Sequence, residues 1–154
     1  MPRTGASMIE TRAEIDIAST PERAWAVLWE VERYPEFLSD FNETQVLSRA
    51  DSLTQVVAFE MRLFRLRTFR LELRGEPPFH VSWSLVDGAN LRHNHGDWTI
   101  EALNDQIVRL HYRLEIDIDI PVPDAIARRL MDFNLPTAMR QFKARIEMPG
   151  ASRE

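Results

Sequence analysis

In RHNHGDW, residues 92–98, two histidines stand two positions apart, followed by a glycine, an aspartate and a tryptophan. Residues i and i+2 of a strand share a face, so His93 and His95 point the same way. Such an imidazole pair can chelate a metal, act as general acid and base near neutral pH, or line a pocket with polar spots. A useful metal site needs at least three converging ligands. The chain has no cysteine, and its one histidine downstream of the pair, His111, falls on the charged parity of its own strand, so no metal is expected. Strand parity decides the remaining choice. Without a bulge, Arg92 and Asn94 share the face of Trp98 and Ile100, and both histidines point outward. Glycine inside a strand often marks a bulge, which switches faces. A bulge at Gly96 would put Leu91, His93 and His95 with Trp98 and Ile100 and leave Arg92 and Asn94 in water. That form is the expectation, with the buried imidazoles bonded to each other, to Asn134, to Tyr112 or to a ligand.

A second candidate lies in VVAFEMRLFRLRTFRLELR, where Arg65 and Arg67 occupy the parity of Val57, Phe59, Met61 and Leu63 and of Phe69, Leu71 and Leu73. A hairpin turning near 63–66 accounts for this, with Arg65 in the turn and Arg67 opening the return strand. Arg67 then either points to the mouth of a cavity, where it meets an anionic or carbonyl group, or snorkels to water. A turn built from Leu63, Phe64 and Leu66 without Gly or Asn is unusual. It reads as a hydrophobic lip for ligand access or for transient membrane contact.

These residues need a scaffold. IETRAEIDI (9–17) alternates as a half-buried strand. STPERAWAVLWEV follows as a helix, with Ser19 and Glu22 spaced as a capping box and Pro21 in the first turn. YPEFL then makes a second short helix or tight loop. From about 43 to 120 the period is two, with turn signals at Asp51-Ser52, Glu76-Pro77-Pro78, Asp87-Gly88 and Asn104-Asp105, which indicates an antiparallel meander. On 107–118, Val108, Leu110, Tyr112, Leu114 and Ile116 share the apolar face. Residues 123–147 read as a long helix with the stripe Met131, Leu135, Ala138, Met139, Phe142 and Ile146, kinked at Pro136. Ile126, Leu130 and Phe133 lie off that stripe, so its first half has apolar residues on more than one side. One large sheet must cover its apolar face, and the long helix is the cover available. A sheet of this length curls around the helix and creates a concavity where a ligand fits.

The chain of 154 residues suits one domain at 8–148, between flexible tails at 1–7 and 149–154. Acidic residues outnumber basic ones 24 to 19, a net charge of −5, which argues against nucleic acid as a partner. Cysteine absence excludes disulfides and fits a cytoplasmic location. No run approaches the ~18 consecutive apolar residues of a membrane span, and MPRTGAS lacks the apolar stretch of a signal peptide.

IDIASTPERAWAVLWEVERYPEFL (15–38), PPFHVSWSLVDG (77–88), GDWTIEAL (96–103) and the helix 123–147, taken in order, resemble the START-like, helix-grip proteins, among them polyketide cyclases/dehydrases and coenzyme Q-binding proteins. The resemblance covers roughly residues 8–148. It implies an α+β helix-grip fold: a curved antiparallel sheet of about seven strands around a long C-terminal helix, in the order β-α-α-β-β-β-β-β-β-α, with an apolar tunnel between. It implies no single reaction, because the fold hosts carriers, cyclases and toxins. The first expectation is binding or transport of a small hydrophobic molecule, such as a quinone, lipid or polyketide, without a cofactor. Phe59, Met61, Trp83, Trp98, Tyr112, Leu130 and Phe133 would form the walls, with His93, His95, Arg67 and Asn134 as polar contacts. The rival is a polyketide aromatase/cyclase with His93 or His95 as general acid or base and Arg67 stabilising an enolate. VERYPEFL alone suggests a third class, a ribosome- or protein-interacting toxin-like domain, against which the net charge weighs.

Overall fold

A computed structural model of the chain describes residues 8–63, 65–89, 91–119 and 123–148, with the backbone alone at Leu63, Arg65, Leu66 and Leu130. The elements run β1 (Ile9–Ala18), α1 (Pro21–Trp29), a 3-10 turn (Val31–Glu36), β2 (Phe41–Asp51), β3 (Thr54–Leu63), β4 (Arg65–Glu76), β5 (His80–Gly88), β6 (Leu91–Ala102), β7 (Ile107–Ile118) and α2 (Asp124–Glu147). The strands form one antiparallel sheet of seven in the order β1-β7-β6-β5-β4-β3-β2, so only the β1–β7 pairing is not between consecutive strands. The alternation seen in sequence sets the faces: Ile9, Thr11 and Ile17 of β1 and Val108, Leu110, Leu114 and Ile116 of β7 are buried. This is the curved sheet and C-terminal helix expected from the resemblance.

The helix α2 lies along β1 and closes that edge of the sheet. Its Glu147 accepts the Ala18 N–H at 2.9 Å, Lys143 Nζ donates to the Asp16 carbonyl at 2.8 Å, and Asp132 accepts from the Thr11 hydroxyl at 2.9 Å. Side chains thereby satisfy backbone groups that an edge strand leaves open. The stripe expected on α2 is the one that packs: Met131, Met139, Phe142 and Ile146 are buried against the sheet. The helix runs through Pro136 as one element.

One local expectation shifts, at the start of α1. The N-cap of α1 is Thr20, whose hydroxyl accepts the Arg23 N–H at 3.3 Å, and not Ser19. Ser19 is buried and donates to the Thr20 carbonyl instead. The β3–β4 hairpin turns within the expected window, with Leu63 paired to Arg65 across the tip. The proposed lip itself lies outside the described residues, as do the expected tails, since Phe64 and the side chains of Leu63 and Leu66 are not described. Among the described residues, no helix is long and apolar enough to cross a membrane.

Candidate functional site

The face that β6 turns inward is set by its neighbours. Trp98 stands opposite Tyr112, Gly96 opposite Leu114 and Asn94 opposite Ile116, in unbroken register with β7. The register shifts between Leu91 and His93, so the irregularity exists but lies at the start of the strand and not at Gly96. Leu91, Asn94, Gly96, Trp98 and Ile100 therefore look into the fold, and His93 and His95 look out. The expectation of inward histidines is corrected.

The physical reason is visible at Gly96. A Cβ there would lie 2.5 Å from Cζ2 of Trp83 and closer still to the Arg113 carbonyl oxygen. The glycine is a seat for an indole from the neighbouring strand. The polar residue that parity then drives inward is Asn94, and its amide oxygen is satisfied: it accepts the Trp83 indole N–H at 2.9 Å. Burying that oxygen costs little once such a bond is made.

Between the sheet and α2 lies a cavity of about 200 Å³. Its walls are mostly apolar and aromatic, with Phe41, Phe59, Phe69, Trp83, Trp98 and Phe142 prominent. The rings interlock, Trp98 against Tyr112 at 4.7 Å and against Phe142 at 4.8 Å, Phe59 stacked on Phe69 at 5.5 Å. Polar groups are few. Tyr34 is spoken for, its hydroxyl donating to the Leu28 carbonyl at 2.6 Å, and Gln141 bonds Ser39. Burial holds the phenols of Tyr34 and Tyr112 above their ordinary value, so both stay neutral. Among the described residues, the charged side chains on the wall are Asp40 and Arg67. Both stand at one end: Arg67 faces Met61 in the β3–β4 ladder, and the Asp40 carbonyl accepts the Arg62 N–H at 2.7 Å.

Of the residues expected at the site, Phe59, Met61, Arg67, Trp83, Trp98 and Tyr112 line the cavity together. Phe133 does not: it is 77% exposed. On a helix of 3.6 residues per turn it lies about 200° round from Met131, on the side away from the sheet. Asn134 is half-buried but outside the lining, about 60° from the same reference. The Leu130 side chain lies outside the described residues. Wall residues outside the expected set are Asn94, Phe41 and Tyr34, together with Leu91 and Phe69, which the sequence places on apolar faces without naming them as contacts. For Asn94 the signal was present, since strict alternation from Trp98 reaches it. For Tyr34 and Phe41 it was not, because Tyr34 lies in the 3-10 turn and Phe41 opens β2 just ahead of the alternation read from about residue 43.

All four histidines stand on the outer face of the sheet or its rim among carboxylates. His80 meets Asp97 and Glu76, each at 3.2 Å; His93 stacks on His95 at 5.7 Å and stands 3.6 Å from Glu115; His111 meets Glu101 at 2.9 Å and Glu14 at 3.4 Å. No group of three or more metal-binding side chains converges among the described residues.

Comparisons with known proteins agree with this geometry. A START superfamily protein from Mycobacterium smegmatis superposes with a TM-score of 0.79 at 15% identity, covering 90% of this chain and 97% of its own. The Zhui aromatase/cyclase from Streptomyces sp. R1128 gives 0.77 at 14% identity, over 95% and 94%. A STAR-related lipid transfer protein from Xanthomonas axonopodis gives 0.76 at 12%, over 94% and 89%. At such identities the likeness is one of fold. No curated protein matches the chain in sequence. The family described as polyketide cyclase/dehydrase and lipid transport does match, over residues 17–143, from the end of β1 into the last turns of α2, and the chain belongs to that family.

Proposed function

We propose that this protein binds and carries a small hydrophobic molecule, of quinone, lipid or polyketide type, in the cavity between the sheet and α2. The observation that carries the reading is the chemistry of the wall: aromatic and aliphatic side chains with few polar groups, the charged pair Asp40 and Arg67 standing together at one end, and no histidine. Apolar walls supply affinity, and a few fixed polar groups supply orientation. At about 200 Å³ the cavity suits an occupant of one or two fused rings, or one end of something longer that leaves by the Arg67 end.

The second reading is an aromatase/cyclase, favoured by the family and by Arg67, a cation on the cavity wall that could stabilise an enolate. A general acid or base from His93 or His95 has no geometric support, since both rings stand on the far side of the sheet. The two readings separate in one experiment. The protein is purified from its own host, and native mass spectrometry with organic extraction identifies what it retains. A retained, unmodified hydrophobic molecule supports the carrier. A retained cyclised product formed from an added linear precursor supports the enzyme, and an empty protein that takes up neither opposes both. In either case His93→Ala and His95→Ala are expected to leave affinity unchanged within about twofold, as surface substitutions do. Transient membrane contact through Leu63, Phe64 and Leu66 belongs to the carrier reading, and loss of liposome binding in Phe64→Ser tests it.

A further inference from the structure

Among the described residues, two neutral hydrogen-bond donors on the cavity wall are not used by the protein itself. One is the hydroxyl of Tyr112 on β7, which lines the cavity and has no protein hydrogen bond among the described residues. The other is the amide NH2 of Asn94 on β6. An indole N–H only donates, so the amide must turn its oxygen to Trp83, and the NH2 group is left over. No protein acceptor takes it among the described residues, although the side chain is buried. The orientation of this amide is thus dictated by Trp83, and Trp83 can lie there because residue 96 has no Cβ. Asn94 and Tyr112 flank the Trp83 indole, whose ring centre is 5.9 Å from that of Tyr112.

We infer that Asn94 and Tyr112 select, among the apolar molecules that fit the cavity, neutral ones bearing carbonyl or other acceptor oxygens, with Trp83 and Gly96 as positioning residues for the Asn94 amide. This rests on the proposed binding function and narrows its ligand. A neutral donor set rewards an acceptor oxygen and does nothing for a hydrocarbon. It also compensates poorly for the desolvation of a full negative charge. The charged wall residues, Asp40 and Arg67, stand instead at the Met61 end of the cavity. A cation would be repelled by the Asn94 NH2, which only donates, and would find a single phenol oxygen to accept from it.

The test uses two probes of one shape, naphthalene and 1,4-naphthoquinone, titrated calorimetrically into the full chain. The chain has no cysteine, so thiol addition to the quinone does not interfere. Tyr112→Phe and Asn94→Leu are each expected to weaken naphthoquinone by about tenfold, the loss of a buried carbonyl's partner, while naphthalene affinity stays within about twofold. Trp83→Phe is expected to weaken naphthoquinone relative to naphthalene although Asn94 is intact, because its amide is then free to turn. Equal changes for both probes in Tyr112→Phe and Asn94→Leu overturn the donor assignment and leave the cavity reading standing. Failure of the parent protein to bind either probe overturns the cavity reading, and this inference with it. Tyr112→Phe removes a single oxygen, so the test survives if Trp83→Phe does not fold.

Discussion

Replacing Gly96 with alanine sets a methyl group against the Trp83 indole and the Arg113 backbone at once. The new Cβ would stand 2.5 Å from Cζ2 of Trp83. Carbon atoms rest at about 3.5 Å or more, so the indole must retreat by about 1 Å. The carbonyl on the other side belongs to β7 and is held in the ladder, so it cannot yield instead. Overpacking of this kind costs about 1–3 kcal/mol. The retreat also breaks the bond from Trp83 to Asn94 and leaves a buried amide unsatisfied, a further ~1–3 kcal/mol. Alanine in place of glycine restores ~0.4–1 kcal/mol by restricting the unfolded chain. The net is a loss of about 3 kcal/mol. For a domain of this size that lowers Tm by roughly 6–12 °C, read by thermal and urea unfolding followed by circular dichroism. The same loss should shrink in a Trp83→Leu background, because the two residues share one space and their effects are not additive. A Gly96→Ala protein melting within a degree of the parent would refute the account of why β6 faces as it does.

Two further outcomes follow from the same geometry. Glu147 accepts the Ala18 N–H and, second, a bond from Lys143, and these hold its carboxyl below the ordinary 4.5. A carboxyl lowered by folding contributes stability that is complete above its unfolded value and lost as pH falls toward the folded one. The parent should therefore lose stability as pH drops below about 4.5, and Glu147→Gln should show a smaller loss over that window in melts taken across pH. Phe133 and Met139 lie about 120° apart round α2, one 77% and the other 3% exposed. Phe133→Ser should change unfolding free energy by no more than ~0.5 kcal/mol, and Met139→Ala should cost ~2–5 kcal/mol and alter ligand affinity.

The element order was legible because it is written in local periods. Alternation marks β1 and β7 within their own residues, and the 3.6-residue stripe from Met131 to Ile146 marks the face of α2 that packs. Local periods also carry part of the cavity wall: alternation puts Phe59 and Met61 on the apolar parity of β3 and Tyr112 on that of β7, and all three line the cavity. The exposure of Phe133 was also within reach, since the wheel that buries Met131 turns Phe133 outward.

Which residues share a face is fixed along the chain, because strand parity and helical period are covalent consequences of backbone geometry. Which face of β6 looks inward is fixed by packing between strands. Residue polarity pointed the wrong way there, since it favoured Asn94 in water and made a bulge at Gly96 attractive. The cost of burying Asn94 is offset by an indole N–H eleven positions earlier in the chain, on β5, and no local pattern reveals that donor. The glycine that looked like a switch in the strand is the space that donor occupies. His93 and His95 consequently stand outside, and the polar chemistry of the cavity falls to Asn94 and Tyr112.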